Sequence, residues 1–447
     1  MTTTVTLIYP YFRPSGDKSI FRFPPLGLGY LAACLKQNGI AVDLIDCTFL
    51  KQEEALEKAR RSDPDIIGIY SMFSMKDKAI QMAKLLRDNC QLLVAGGPLP
   101  TLNAEDFLEY FDVVAIGEGE ETMLELVQEV ERDADFSRVR GIAYKEGGKG
   151  KIKLTPPRGF VKDLDSIPFP ARELFDNQAY KNFYFKNFGY TVTSIMTSRG
   201  CPFSCDFCSQ PIFGNHFRTR SATNIVDEVE IVLALGYDRL WFADDCFTLN
   251  RRRLVDICNE ICQRDIKIDW ECLSRVDTID QEMAEKMRMA GCVRVFFGIE
   301  SGNNSILSLM KKQITTEQAK EAVHVFKLSG VQVGAFFIVG YPGETDDTIL
   351  DTLRFASSLP LDYLSFTLPY PIPGTSLYDR LKDQIVLEDW KEPKHPHLIE
   401  HKLCYHSSFS EGKLKFAILK GTMQHILKKY LGLRLYRPIG ELFERIT

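Results

Sequence analysis

TSRGCPFSCDFCSQ, residues 197–210, sets three cysteines, Cys201, Cys205 and Cys208, on one short segment with three and then two residues between them. A structural zinc site asks for four protein ligands. The nearest further candidate is His216, eight residues beyond Cys208. A disulfide with one spare thiol disagrees with a reducing compartment. A 4Fe–4S cluster held by three thiolates, with one iron left open, explains why the count stops at three. Zinc with His216 stays open as the alternative for this loop alone.

The other nine cysteines, Cys34, Cys47, Cys90, Cys246, Cys258, Cys262, Cys272, Cys292 and Cys404, are scattered singly through apolar segments. They read as small buried hydrophobes. Cys246 and Cys272 fall near predicted strand ends and are read as core thiols all the same. The chain has 447 residues, more than one ordinary core accommodates, so two or three domains are expected. At 45% hydrophobic and 26% charged it has the composition of a globular protein, and a net charge of −5 gives no reason to expect nucleic acid. Apolar runs such as Val333–Gly340 are too short to span a bilayer. MTTTVTLIYP carries no basic, apolar leader, from which a cytoplasmic protein is expected.

Working outward from the cysteines, the chain reads as two α/β series. Residues 1–135 alternate strands at 5–10, 41–46, 66–71, 91–97 and 113–117 with helical segments. Near-continuous apolar runs suit a parallel sheet covered on both faces, and five such units make a doubly wound, Rossmann-like sheet whose ligand site lies at the strands' carboxyl ends. Those ends are rich in glycine, including Gly96, Gly97, Gly117 and Gly119, where a ligand can approach the backbone. Neither GxGxxG nor GxxxxGK[ST] follows the first strand. Residues 136–190 read as a hairpin and a proline-rich linker. A second series at 191–375 has strands at 193–200, 238–245, 267–275, 292–301, 331–340 and 363–374. Six units fit a partial (β/α)6 barrel of TIM type. Residues 376–447 read as a mainly helical tail.

CxxxCxxC, with Phe207 before the last cysteine and the loop following the first barrel strand, resembles the radical S-adenosylmethionine (SAM) superfamily. The resemblance implies that the open iron chelates the amino and carboxylate groups of SAM, and that one electron cleaves SAM to a 5′-deoxyadenosyl radical. It assigns Cys201, Cys205 and Cys208 to the cluster. It further implies SAM contacts along the barrel: Phe207, Asp244 and Asp245 of FADDCF, Arg275 of LSRVD as a bidentate partner of the SAM carboxylate, Glu300 and Ser301 of FGIES at the ribose, and Gly340 of VGYPGET near adenine. Glu344 also fits a simple helix cap.

The doubly wound domain placed ahead of this core, with PPLGLGYLAA, GGP, GEGE and LDSIPFPAR, resembles the cobalamin-dependent radical SAM enzymes over residues 1–375. The resemblance implies a corrinoid lined by Ser71, Ser74, Gly96, Gly97, Thr101, Gly117 and Glu118. No DxHxxG is present and no histidine precedes His216, so a lower axial histidine from this domain is excluded. Tyr70, Met72 and Phe73 are the candidates beneath the ring. Leu99 stands where related sequences often carry a histidine.

The implied reaction is methylation of an unactivated carbon by way of methylcobalamin. The alternative is a cobalamin-dependent radical SAM oxidative cyclisation or ring rearrangement with no net methyl transfer. The implied partners are a small-molecule or lipid substrate and a low-potential electron donor such as flavodoxin or ferredoxin. Between Glu411 and Arg437 the tail carries seven Lys or Arg against one acid. That pattern suits an amphipathic helix with a solvated basic face, and also peripheral membrane contact. His395, His397, His401 and His406, with Cys404, match no standard metal spacing and read as loop or pocket lining.

Overall fold

The computed structural model describes residues 3–14, 16–17, 19–132, 134–148, 150–208, 213–386 and 403–444, with 430–444 as backbone only. In the first domain β1 (Thr4–Tyr9), β2 (Ala41–Asp46), β3 (Ile66–Tyr70), β4 (Leu92–Gly96) and β5 (Val113–Ala115) form a parallel sheet in the order β2-β1-β3-β4-β5. Leu7, Ile8, Ile67, Leu93 and Val94 are buried, as expected for strands covered on both faces. Strand β1 has β2 on one side and β3 on the other, so the switch point, and the crevice that goes with it, lies between β1 and β3.

The hairpin of the linker does not stand apart. Strands β6 (Ile142–Lys145) and β7 (Ile152–Leu154) add antiparallel beside β5, so the sheet has seven strands and not five. From there the chain crosses to the second domain, where Arg172 is buried and its Nη2 donates to the Ser194 carbonyl (2.7 Å) and to Glu228 (2.6 Å).

In the second domain β8 (Val192–Ile195), β11 (Arg239–Phe242), β12 (Asp269–Ser274), β13 (Cys292–Glu300), β14 (Gln332–Ile338) and β15 (Tyr363–Thr367) are parallel and lie side by side in chain order, the wall of a partial barrel. Alternation divides their side chains. Leu240, Phe242, Trp270 and Phe297 pack beneath the helices, while Trp241, Phe296, Phe336 and Tyr363 form an aromatic cluster on the opposite face. Phe21 and Phe23, from the loop after β1, join that second cluster; Phe21 lies 5.2 Å from Trp241 and 5.5 Å from Phe296, edge to face. The loop after β1 therefore docks the first domain onto the barrel.

Several predicted strands are shorter than expected, among them 238–245, which is reduced to Arg239–Phe242, and for two the cause is visible. The stretch 193–200 breaks after Ile195, and β9 (Ser198–Arg199) pairs antiparallel with β10 (Arg218–Thr219), because the Thr197 and Ser198 amides turn to the Asp244 carboxylate. The stretch 363–374 ends at Thr367, since Pro369, Pro371 and Pro373 have no N–H for a ladder. The tail forms a helix, Glu411–Glu444, lying on β15 and on the helix Asp346–Ser358. Among the described residues no helix is long and apolar enough to cross a membrane.

Candidate active site

The cysteine loop is anchored at both ends by the β9–β10 pairing. Gly200 has φ +85°, and a Cβ there would lie 2.4 Å from the His216 carbonyl, so only glycine fits this entry turn. Asp206, buried between Cys205 and Phe207, accepts hydrogen bonds from the Tyr341 hydroxyl and from Arg380 Nη2 (2.6 Å). Its amide donates to the Met310 carbonyl at 3.1 Å, and its carbonyl accepts from the Leu377 amide at 2.8 Å. Phe207 packs edge-on to Tyr341 at 6.5 Å. Cys201 and Cys205 are half-buried and Cys208 is exposed. Burial pushes the Cys201 thiol up, a hydrogen bond from the Phe203 backbone draws it partly back, and Asp245 adds to the rise. Among the described residues no three His, Cys, Asp or Glu side chains converge as a ready-made metal cage. His216 is exposed.

The barrel-end residues divide into those free to meet a ligand and those already engaged. Asp244 belongs to the second group, against the expectation from FADDCF. Its carboxylate accepts the Thr197 amide (2.6 Å), the Ser198 amide (3.0 Å), the Ser198 hydroxyl (2.6 Å) and Arg253 Nη2 (3.2 Å). Asp245, the next residue, is open to solvent, yet closely surrounded protein raises its carboxyl above the usual range, with Asp244 adding to the rise.

Arg275 departs from expectation in the same way. Its Nε and Nη2 each donate to Asp277 at 2.9 Å, and Nη2 donates again to the Lys312 carbonyl at 2.8 Å, so the fork expected to take a SAM carboxylate is filled by protein. Its guanidinium lies on the Phe203 ring, 3.5 Å from the centroid, and Nη1 points to Cys205 Sγ at 3.9 Å.

Glu300 ends β13 with φ +71°, a left-handed conformation rare outside glycine, after a register shift between Gly298 and Glu300 that re-aims its side chain. It accepts Lys312 Nζ at 3.1 Å. The pair has room because a Cβ on Gly298 would fall 2.5 Å from Glu300 Oε1. Burial draws the Lys312 ammonium down, but Glu300 and then Cys205 push it up to a net rise. Ser301 is fully buried, with its hydroxyl 3.0 Å from that of Thr352 and accepting the Asn303 amide at 3.1 Å, so it does not face a ribose. Gly340 is covered by the chain itself. A Cβ there would meet Leu414 Cδ1 at 2.5 Å, and its carbonyl accepts the Tyr405 hydroxyl at 2.9 Å.

At the carboxyl edge of the first sheet a cavity of about 440 Å³ opens at the switch point, with Tyr9, Tyr70, Gly96, Gly97, Gly117 and Glu118 in its wall. Met196, Arg199 and Phe213 close it from the barrel side. It continues inward past Leu7, Gly68 and Met123. Of the predicted corrinoid residues, the three glycines and Glu118 therefore line the space. Ser71, Ser74 and Thr101 do not. Ser71 is buried with its amide on the Gly96 carbonyl (2.8 Å), Ser74 is exposed, and the Thr101 hydroxyl accepts the Gly117 amide (3.1 Å), bracing one loop against the next. Phe73 turns away to Tyr370, with rings 5.2 Å apart; Met72 is absent from the wall, and Tyr70 is part of it.

Although Glu118 lines the cavity, its carboxylate is spent on the domain contact. Oε1 accepts Arg199 Nη1 (2.9 Å) and Arg218 Nη1 (2.8 Å), and Oε2 accepts the Val161 amide (2.7 Å). Arg199 Nη2 reaches Glu120 at 2.6 Å. Arg199 stands two residues before Cys201, so this latch ties a cavity loop to the start of the cysteine loop.

Phe203, Asp206, Asp277, Lys312 and Arg199 were not singled out from sequence. Phe203 and Asp206 sit inside the cysteine motif and Asp277 two residues after Arg275, so proximity was an available signal. Nothing in the sequence points to Lys312. Cys246 and Cys272 are buried core thiols as expected. His395, His397 and His401 lie outside the described residues; Cys404 is buried and His406 exposed.

The radical SAM superfamily model matches residues 195–356, and the B12 binding domain model matches residues 16–127. The chain is 36% identical over 370 residues to an uncharacterized methyltransferase of Pyrococcus horikoshii, covering 80% of this chain and 78% of that protein. It is 30% identical over 405 residues to the anaerobic magnesium-protoporphyrin IX monomethyl ester cyclase of Cereibacter sphaeroides, covering 87% of this chain and 65% of that protein. The fold is similar to that of the radical S-adenosylmethionine methyltransferase TsrM from Kitasatospora setae, solved with cobalamin and its 4Fe–4S cluster, with a TM-score of 0.73 at 19% identity over 86% of this chain and 75% of that one. Fold and site thus define a radical SAM barrel behind a B12-binding domain. The chain belongs to the cobalamin-dependent radical SAM enzymes, whose cofactors are a 4Fe–4S cluster, SAM and cobalamin.

Proposed function

We propose that this enzyme is a methyltransferase that moves a methyl group from SAM to an unactivated carbon of a small-molecule substrate. The observation that carries the reading is the cavity of about 440 Å³ walled by both domains, with the glycines of the first sheet on one side and Arg199, at the root of the cysteine loop, on the other. Group transfer needs the two cofactor sites face to face. When bound, the cluster with SAM supplies one-electron radical chemistry and the corrinoid supplies methyl transfer.

The residues present fit these groups. Cys201, Cys205 and Cys208 offer three thiolates on a loop braced through Asp206, with Phe207 packed behind it. Asp245 adds to the rise that burial causes at Cys201, and Cys205 adds to the rise that Glu300 causes at Lys312, so a carboxylate and an ammonium lie near that loop. We assign Asp245 to the amino end of SAM and Glu300, held by Lys312, to its ribose end. Gly96, Gly97 and Gly117 let a ring system approach the backbone. Asp244, Arg275 and Glu118 hold the frame. The reading includes a cytoplasmic setting and an electron donor of flavodoxin or ferredoxin type.

The test is anaerobic reconstitution with iron, sulfide, hydroxocobalamin and reductant, followed by addition of methyl-labelled SAM. Label on the corrinoid is expected by mass spectrometry. Bound corrinoid without label, alongside 5′-deoxyadenosine, would favour a cyclisation without methyl transfer, the reading that similarity to the Cereibacter cyclase favours. Failure to bind corrinoid would overturn both. Peripheral membrane contact is assigned to the tail helix, where Phe416, Leu419, Met423 and Ile426 form a stripe with each residue at least 39% exposed. Cosedimentation with anionic vesicles, lost on replacing Phe416 and Leu419 with Ser, is the expected result.

A further inference from the structure

Arg275 holds an unusual position for a buried cation at this site. It is 6% exposed, so water does little to screen its charge. Three contacts fix its plane: the two-point contact with Asp277, the Lys312 carbonyl, and the Phe203 ring beneath it. Phe203 and Cys205 belong to the same loop, so the guanidinium lies on that loop while its remaining edge, Nη1, is delivered to Cys205 Sγ at 3.9 Å. Neither a substrate carboxylate nor SAM can take the filled fork without displacing Asp277.

We infer that Arg275 is a positioning residue that sets the reduction potential of the iron–sulfur cluster, by holding a cationic N–H donor against the Cys205 sulfur. Hydrogen bonds to cluster sulfurs and nearby charge both tune cluster potential. Reduction adds one electron, supplied by the external low-potential donor, and makes or breaks no bond. The extra negative charge is stabilised by a donor already aimed at the sulfur, which favours the reduced state. Asp277 offsets part of the guanidinium charge and keeps its orientation, so the directed N–H contributes more than the net charge. The inference rests on the cysteine loop holding a 4Fe–4S cluster.

A redox titration followed by electron paramagnetic resonance, on the reconstituted full chain without SAM or substrate, tests it. In Arg275→Met the midpoint is expected to move to more negative potential by the equivalent of a tenfold weaker electron uptake, about 59 mV for one electron. Arg275→Lys, which keeps the charge but loses the clamped fork, is expected to move less in the same direction. Midpoints equal to wild type, or displaced to more positive potential, overturn the inference. If Arg275→Met retains no iron, Arg275→Lys decides alone, and an unshifted midpoint overturns it. A wild-type chain with no four-iron signal overturns the cluster assignment itself, a separate result from an unshifted midpoint.

Discussion

Glu344 shows how one residue at the barrel end couples burial to pH. Its Oε2 accepts the Gly340 and Tyr341 amides at 2.6 and 2.8 Å, while Oε1 is buried with no partner among the described residues. Burial raises the carboxyl from 4.5 to about 7, with the two amides drawing it partly back. The folded state therefore binds a proton that the unfolded state has released, so this contribution to stability is present below about pH 4.5 and lost as pH rises to about 7. The loss is on the order of 3 kcal/mol. Thermal unfolding between pH 5 and 8 is expected to show the fall, and Glu344→Gln to flatten it; an unchanged slope would refute the assignment. Asp206 acts at the same scale on the cysteine loop. Asp206→Ala leaves the buried Tyr341 hydroxyl without its acceptor, a cost of about 1–3 kcal/mol. Iron and sulfide content after reconstitution is expected to fall several-fold while circular dichroism keeps its native shape. Full iron content would show that the brace is dispensable.

Among the elements, β3 is the one whose composition shapes the binding space. Gly68 sits mid-strand, where glycine costs stability, and a Cβ there would meet Leu7 Cδ2 at 3.0 Å and Met123 Cε at 3.1 Å. Both contacts are flexible side-chain ends, so the fold survives a larger residue while the cavity shrinks. Gly68→Val is expected to lower corrinoid retention through gel filtration, read from corrinoid absorbance, at least tenfold with little loss of thermal stability. Undiminished retention would place the ligand elsewhere. The β strands themselves were legible in the sequence because near-continuous apolar runs are local properties. The break of β8 was not, since it depends on the Asp244 carboxylate reaching back to Thr197 and Ser198 from 47 and 46 residues away.

At the scale of the whole molecule, the two domains are joined by the aromatic plug of Phe21 and Phe23 and by the Glu118 latch. Removing one partner of a buried ion pair costs about 3–5 kcal/mol, and the Arg199 and Glu118 side chains are only 5% and 3% exposed. Glu118→Ala is expected to split a single calorimetric transition into two, one for each domain; retention of one transition would show that the aromatic contact suffices. By itself the sequence determined the two α/β series, their order and the three-thiolate loop, because patterning and the spacing Cys201, Cys205, Cys208 are properties of short segments. Only the tertiary structure decided which polar residues remain free. Asp244, Arg275, Ser301 and Glu118 are the right types at the right strand ends, yet each is engaged by a protein partner. For Glu118 the partners lie 81 and 100 residues away. A buried charge must be paired, and which partner closes the pair is settled by the packing of distant segments, which no local pattern records.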